Sequence, residues 1–309
     1  MNYRVILLAF VLFGVAVYVL LPEQHMVEKK ATIETLKELQ PKTSKESEVD
    51  PTQYPIAFQD DFNAFKLDTE IKDNANWVPY FVKWGVRHLK DNEDEALKAD
   101  VTFTGEGGRP LGLPLHQQTG NGTLILSGYK IPEHHRLEYY GFPYTGGMIS
   151  TERSFSQLYG YWEVKARFLS VSQGHHWAIW LLPQDGTWPP EIDMAEVVGN
   201  TPDKFYVNAH GSPRENELVE FEAPHGATGW HTFGFWWTPE TMTWLVDGET
   251  VKQIDNYIDQ PMYLVVSPEI GGKWPGKPDK TTIWPTQLEI DYVKVHEYQL
   301  PQKKNASQK

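Results

Sequence analysis

Three carboxylates fall within six residues at Glu191-Ile192-Asp193-Met194-Ala195-Glu196. The flanks are apolar, with Trp188-Pro189-Pro190 before and Val197-Val198-Gly199 after, whereas an acidic run on a solvated surface keeps polar company. On a strand, side chains alternate between faces, so Glu191 and Asp193 share one face and Glu196 falls on the other. One extra residue inserted at Met194-Ala195, a β-bulge, returns Glu196 to the face of Glu191. Three acids on one face repel each other and cost stability, which suggests chemistry rather than packing. Two carboxyls facing each other across a glycosidic bond, about 5–5.5 Å apart in the retaining form, are what sugar hydrolysis requires. With one residue bulged out, Glu191 and Glu196 are about 13 Å apart at Cα. Two glutamate side chains leaning together close much of that gap, where aspartates would reach less far.

The elements that must hold these acids are short strands. Between residues 56 and 298 the chain runs as alternating segments separated by Gly, Pro, Asn and Asp turns, a size ordinary for a single all-β domain. At 161–168, Trp162, Val164, Ala166 and Phe168 face one way and Glu163, Lys165 and Arg167 the other. At 205–210, Phe205, Val207 and Ala209 oppose Tyr206, Asn208 and His210. Asp247-Gly248 between 241–246 and 249–254 predicts a two-residue hairpin, and Gly120-Asn121-Gly122 another turn. Alternating strands without βαβ spacing predict two antiparallel sheets packed face to face; periodicity alone leaves sandwich and barrel open.

The 309 residues include 12 Trp, 15 Tyr and 14 Phe but no Cys, so disulfides and thiolate metal sites are excluded and the fold rests on its core. A formal net charge of −13 argues against nucleic acid as a partner, and more weakly against a polyanionic glycan. Residues 5–21 form an unbroken apolar run after Arg4, without a small-residue cleavage site at its end. The expectation is an uncleaved membrane anchor over 1–22 with the rest exported to the bacterial cell envelope, a cleaved signal being the alternative. A polar Lys/Glu-rich spacer over 23–55 and a frayed tail over 299–309 would flank the domain.

The acidic motif does not stand alone. Gly174-His175-His176-Trp177-Ala178-Ile179-Trp180-Leu181-Leu182-Pro183 precedes it, and Tyr159-Gly160-Tyr161-Trp162-Glu163, Thr243-Trp244-Leu245-Val246-Asp247-Gly248, Gly271-Gly272-Lys273-Trp274-Pro275-Gly276 and Ile290-Asp291-Tyr292-Val293 accompany it. Together these resemble glycoside hydrolase family 16, whose bulged signature reads E-[IL]-D-x-x-E, and within it the bacterial exopolysaccharide-cleaving and laminarinase-like endoglycanases. The resemblance implies a β-jelly roll of two antiparallel sheets with an open concave cleft. It implies an endo-acting retaining β-glycanase with Glu191 as nucleophile, Asp193 as helper and Glu196 as acid/base. It places Trp188 on the cleft floor, His210 beside the acid/base and Trp274 on the rim.

Two departures bear on specificity. The branch usually has Trp-Pro where this chain has His176-Trp177, so His176 is expected to hydrogen-bond sugar hydroxyls rather than stack on the ring. Asn92-Glu93-Asp94-Glu95 resembles an N-x-E segment of the family, yet Ala96-Leu97-Lys98 follows in place of an aromatic, implying altered distal subsites. No cofactor is needed for the reaction, although Asp61 and Asp291 stand where some relatives hold a structural Ca2+. The partners expected are a polysaccharide substrate and the membrane, with the chain monomeric. Transglycosylation and a non-catalytic carbohydrate-binding surface protein are the competing functions, and segments 105–114 and 213–224 are the candidate cleft walls.

Overall fold

Apolar residues at every second position bury one face of a strand and leave the other for solvent or a site. In the computed structural model, which describes residues 50–299 apart from 73–74, 91 and 215–216, that alternation builds sixteen strands. In chain order they are β1 (Ile56–Asp60), β2 (Ala96–Lys98), β3 (His116–Gln118), β4 (Leu124–Lys130), β5 (Tyr144–Gly146), β6 (Ile149–Ser150), β7 (Gly160–Ser170) and β8 (His175–Pro183). There follow β9 (Glu191–Val198), β10 (Lys204–His210), β11 (Val219–Glu222), β12 (His231–Trp237), β13 (Thr241–Val246), β14 (Glu249–Asp255), β15 (Met262–Ile270) and β16 (Thr286–His296). Short 3-10 helices at Pro51–Gln53 and Glu133–Tyr139 are the helical elements among the described residues.

One sheet runs β14-β13-β12-β7-β16-β4-β5-β2, with β1 alongside β16 and β3 alongside β4; the other runs β11-β10-β9-β8-β15-β6. Only β2 and β5 pair in parallel among these strands. The sheets stack as a jelly-roll sandwich, which resolves the choice that periodicity left open. Trp162, Val164, Ala166 and Phe168 of β7 meet Trp177, Ile179 and Leu181 of β8 and Phe205, Val207 and Ala209 of β10 in one buried core. The hairpin at Asp247-Gly248 closes on the pair Val246↔Glu249, with both turn residues at positive φ (53° and 80°), as a two-residue turn of this type requires.

The core also dictates the bulge. Ile192, Met194, Ala195 and Val197 are all fully buried on the core side of β9, so two consecutive residues, Met194 and Ala195, point inward. Against β10, Tyr206 pairs with Glu196 and Asn208 with Asp193; against β8, Ile179 pairs with Ala195 and Trp180 with Asp193. On each side the β9 strand carries one residue more than its partner, at the position the sequence predicted. A bulge disrupts the ladder locally, and a group of its backbone must find another partner. Here the indole Nε1 of Trp244, on β13 of the opposite sheet, donates to the Asp193 carbonyl at 2.9 Å.

The expected apolar anchor (1–22) and most of the spacer (23–55) and tail (299–309) lie outside the described residues. Among the described residues no helix is long and apolar enough to cross a membrane.

Trp244→Phe keeps most of the buried ring but strands the Asp193 carbonyl. The expected loss is about 1–3 kcal/mol in urea unfolding. A variant as stable as wild type would show that the bulge does not need this donor.

Candidate active site

The face of β9 turned away from the core carries Glu191, Asp193 and Glu196, and the strand register brings partners to each. His210 lies opposite Glu191 and Asn208 opposite Asp193 on β10, while Tyr206 and Ala178 flank Glu196 from β10 and β8. One ligating atom each of Glu191, Asp193 and His210 lie within 4.8 Å of one another. His210 Nε2 is 3.3 Å from Asp193 Oδ2, 3.4 Å from Glu191 Oε1 and 3.1 Å from Asn208 Nδ2. Its hydrogen bond with Asp193 raises the His210 pKa, against the opposing effect of burial. Asp193 Oδ2 is buried without a hydrogen bond of good geometry.

Trp188 combines an exposed ring with a hydrogen bond to the first acid. Its ring is 57 % exposed at the cleft, and its Nε1 donates to Glu191 Oε2 at 2.8 Å. Burial and then the charge of Asp193 raise the Glu191 pKa well above the ordinary carboxylate value, and the Trp188 donor opposes them. Glu196 is pushed up to about 7, first by burial and next by Asp193, with the His176 hydrogen bond pulling the other way. An acid such as Glu196, held near neutrality at the floor of a cleft, can serve as proton donor and acceptor in turn.

His176 corrects an expectation. It is only 6 % exposed, its Nε2 lies 2.9 Å from Glu196 Oε1 and its Nδ1 lies 3.5 Å from Glu269 Oε2. Both ring nitrogens face carboxylates, so they are not presented to sugar hydroxyls. Trp274 packs its ring edge-on to His176 and Tyr206, each at 5.0 Å, and stays 37 % exposed on the rim. Trp180 is buried and donates to Ser267 Oγ at 3.1 Å.

Sequence reading missed Glu269 and the role of Asn92, whose Nδ2 donates to Glu269 Oε1 at 3.1 Å. Glu269 sits directly across β15 from His176, and only strand register reveals that. The departure at 96–98 is the buried strand β2, where Lys98 pairs with Asp94 at 2.5 Å. Asp94 Oδ1 in turn accepts from Ile270 N, just ahead of the Gly271-Gly272 turn.

The two cleft sides differ. Over β8 and β15, Ala178, Trp180, Leu182, Tyr263 and Val265 are covered by Phe81, with Trp84, Val86 and Leu89 packed behind. That cover is fixed by Val82 and Lys83 N–H groups on the Glu152 carboxylate (2.8 and 2.5 Å) and by Trp84 Nε1 on the Gly186 carbonyl (2.8 Å). Beyond β10, Asn208, His210, Ser212, Arg214, Glu217 and Leu218 line an open pocket of about 290 Å³. Segment 105–114 packs on the 3-10 helix instead, with Glu106 N donating to the Glu138 carbonyl.

The Ca2+ expectation fits poorly. Asp291 pairs with Lys165 at 2.8 Å, and Asp61 Oδ1 accepts from the Asn63 N–H at 3.2 Å. Both carboxylates are engaged within the protein, the first by a cation.

With this geometry in place, comparison with known proteins is decisive about kinship. The sequence matches Glycosyl hydrolases family 16 over residues 80–294. The chain belongs to that family. It is 33 % identical over 246 residues to the endo-1,3-1,4-beta-glycanase EglC of Rhizobium meliloti (strain 1021), covering 77 % of this chain and 51 % of EglC. It is 30 % identical over 208 residues to a beta-glucanase of Rhodothermus marinus, covering 59 % of this chain and 70 % of that protein. The solved laminarinase of Rhodothermus marinus superposes with a TM-score of 0.64 at 25 % identity, over 80 % of this chain and 98 % of that one. The chain thus spans about half the length of EglC.

If the Trp188 indole supports Glu191, Trp188→Phe should lower kcat roughly tenfold with KM little changed, since a hydrogen bond to a charged group is worth about 1.5–3 kcal/mol before discounting for exposure. Trp188→Ala should raise KM as well by removing the stacking surface. A Trp188→Phe variant with wild-type kcat would reduce Trp188 to a platform.

Proposed function

We propose that this protein is an endo-acting retaining β-glycanase that hydrolyses internal bonds of a β-glucan or bacterial exopolysaccharide. The observation that carries this reading is the bulge, which sets Glu191, Asp193 and Glu196 on one face of β9 at the floor of an open cleft. Family membership and the names of EglC and the Rhodothermus enzymes support the glucan class.

Glu191 attacks the anomeric carbon as the glycosidic C–O bond breaks, and Glu196 delivers its proton to the departing oxygen. In the second half, Glu196 as carboxylate takes a proton from the incoming water, which displaces Glu191 and restores the β configuration. Asp193 shares a proton or hydrogen bond with Glu191, letting it attack as an anion and leave as a better group. His210 offers a positive charge beside both. Trp188 and Trp274 present ring faces to the apolar faces of the sugars, and every step runs on side chains of this chain without a cofactor. Residues 56–298 make up the catalytic unit. The apolar segment 5–21 directs export and holds the enzyme at the membrane, with 23–55 as spacer.

The test is product analysis of the full chain on laminarin, mixed-linkage β-1,3-1,4-glucan, xyloglucan and succinoglycan-type polysaccharide. Internal cleavage with β-configured new reducing ends is expected on at least one of the first two or the last. Because Glu196 must be protonated to act first, kcat/KM should fall as pH rises through about 7. Glu191→Gln and Glu196→Gln should each lower turnover by roughly a thousandfold or more with unfolding unchanged. Wild-type-like turnover in either variant overturns the assignment, and oligosaccharides longer than the starting chains would indicate transglycosylation.

A further inference from the structure

Retaining hydrolysis makes a demand on Glu196 beyond donating one proton. It must be an acid in the first step and a carboxylate in the second, yet it stands within electrostatic reach of Glu191, Asp193 and Glu269. Four buried or half-buried carboxylates would hold one another protonated unless a cation stands among them. His176 occupies that position. It lies on β8 with Glu269 directly across on β15 and, on the other side, Glu196 two residues along β9 from its partner Val198. Its Nε2 lies 2.9 Å from Glu196 Oε1, its Nδ1 3.5 Å from Glu269 Oε2, and Trp274 packs edge-on to its ring.

We propose that His176, held by Glu269, is a positioning residue for Glu196: a fixed imidazolium that orients the acid/base carboxyl and lets it cycle between its two protonation states. This rests on the reading of Glu196 as acid/base given above. His176 itself neither gains nor loses a proton in either half-reaction. The proton leaves Glu196 for the glycosidic oxygen and returns from water.

The surroundings favour a charged ring. Burial opposes the charge, but the hydrogen bonds with Glu196 and Glu269 outweigh it and push His176 up to about 10. Glu269 is kept ionised, against its own burial, by His176, with Lys98 and the Asn92 amide adding to the effect. Of the other charged groups nearby, Asp94 is paired with Lys98, Glu93 with Lys273 and Glu95 with Lys277. Tyr206, on the β10 side, is hydrogen-bonded to Thr201. His210 and Lys252 serve the other end of the acidic row, at Asp193 and Glu217. His176 is therefore the cation in contact with Glu196 among the described residues.

Two measurements test this. Nitrogen-15 histidine spectra of the full chain should show both ring nitrogens of His176 protonated at pH 8, and Glu269→Gln should bring its deprotonation down by about a unit or more. In parallel, kcat/KM profiles are compared for wild type, His176→Leu and His176→Gln on the glucan that the wild type cleaves and on an aryl β-glucoside of the same sugar chain. His176→Leu should move the alkaline limb up by about a unit and cut kcat on glucan roughly tenfold or more with KM within about twofold. The loss on the aryl substrate, whose leaving group needs no proton, should be much smaller. His176→Gln, which keeps a donor, should recover part of the activity. A neutral His176 at pH 8, an unmoved limb, equal losses on both substrates or a loss confined to KM would each overturn the inference. An active wild type with any of these results overturns the role of His176 alone. A wild type that cleaves none of the glucans overturns the proposed function and this role with it.

Discussion

The chemistry of this protein depends on two adjacent residues, Met194 and Ala195, both pointing into the core. A regular strand would have sent one of them outward and turned Glu196 under the sheet, where an unpaired carboxyl among Trp and Phe side chains would be costly. The opposite sheet makes the bulge the cheaper solution, because it offers apolar surface to both residues and an indole N–H to the carbonyl left over at Asp193. The acids' placement is thus a product of sandwich packing. The repulsion among them is the cost of that placement, and His210 and His176 offset it at opposite ends of the row.

Trp244 ties this constraint to a distant part of the fold. It lies on the strand that enters the Asp247-Gly248 hairpin, and Lys252 on the returning strand sits over its ring at 4.7 Å. The same Lys252 donates to the Glu217 carbonyl and pairs with the Glu217 carboxylate at 3.3 Å, next to the open pocket. One hairpin of the larger sheet therefore braces both the acidic strand and a wall of the cleft. Its two-residue turn, which needs positive φ at Asp247 and Gly248, fixes the register on which both contacts depend.

Local pattern made much of this legible. The spacing of Glu191, Asp193 and Glu196 among apolar residues required the bulge, alternation at 161–168 and 205–210 announced inward and outward faces, and Asp-Gly announced its hairpin. The misreadings share a cause. His176 looked like a sugar contact because its own strand puts it on the concave face. Whether a residue on that face meets solvent or another carboxylate depends on the strand beside it, and Glu269 is far away in sequence. That Phe81 is what covers Trp180 was equally hidden, since a loop's resting place is a tertiary fact with no periodicity to betray it. The buried Lys98–Asp94 pair was invisible because a charged residue in a short strand reads as surface until its partner is seen.

The cover over β8 and β15 makes the groove handed. One flank of β9 is a wall of packed aromatic and aliphatic side chains, fastened by the Glu152 carboxylate and the Gly186 carbonyl. The other flank opens into a polar hollow that carries Arg214, Ser212 and Glu217. The two edges of the groove are thereby unlike: one is closed by packed aromatic and aliphatic side chains, the other is open and lined by charged and hydroxyl groups.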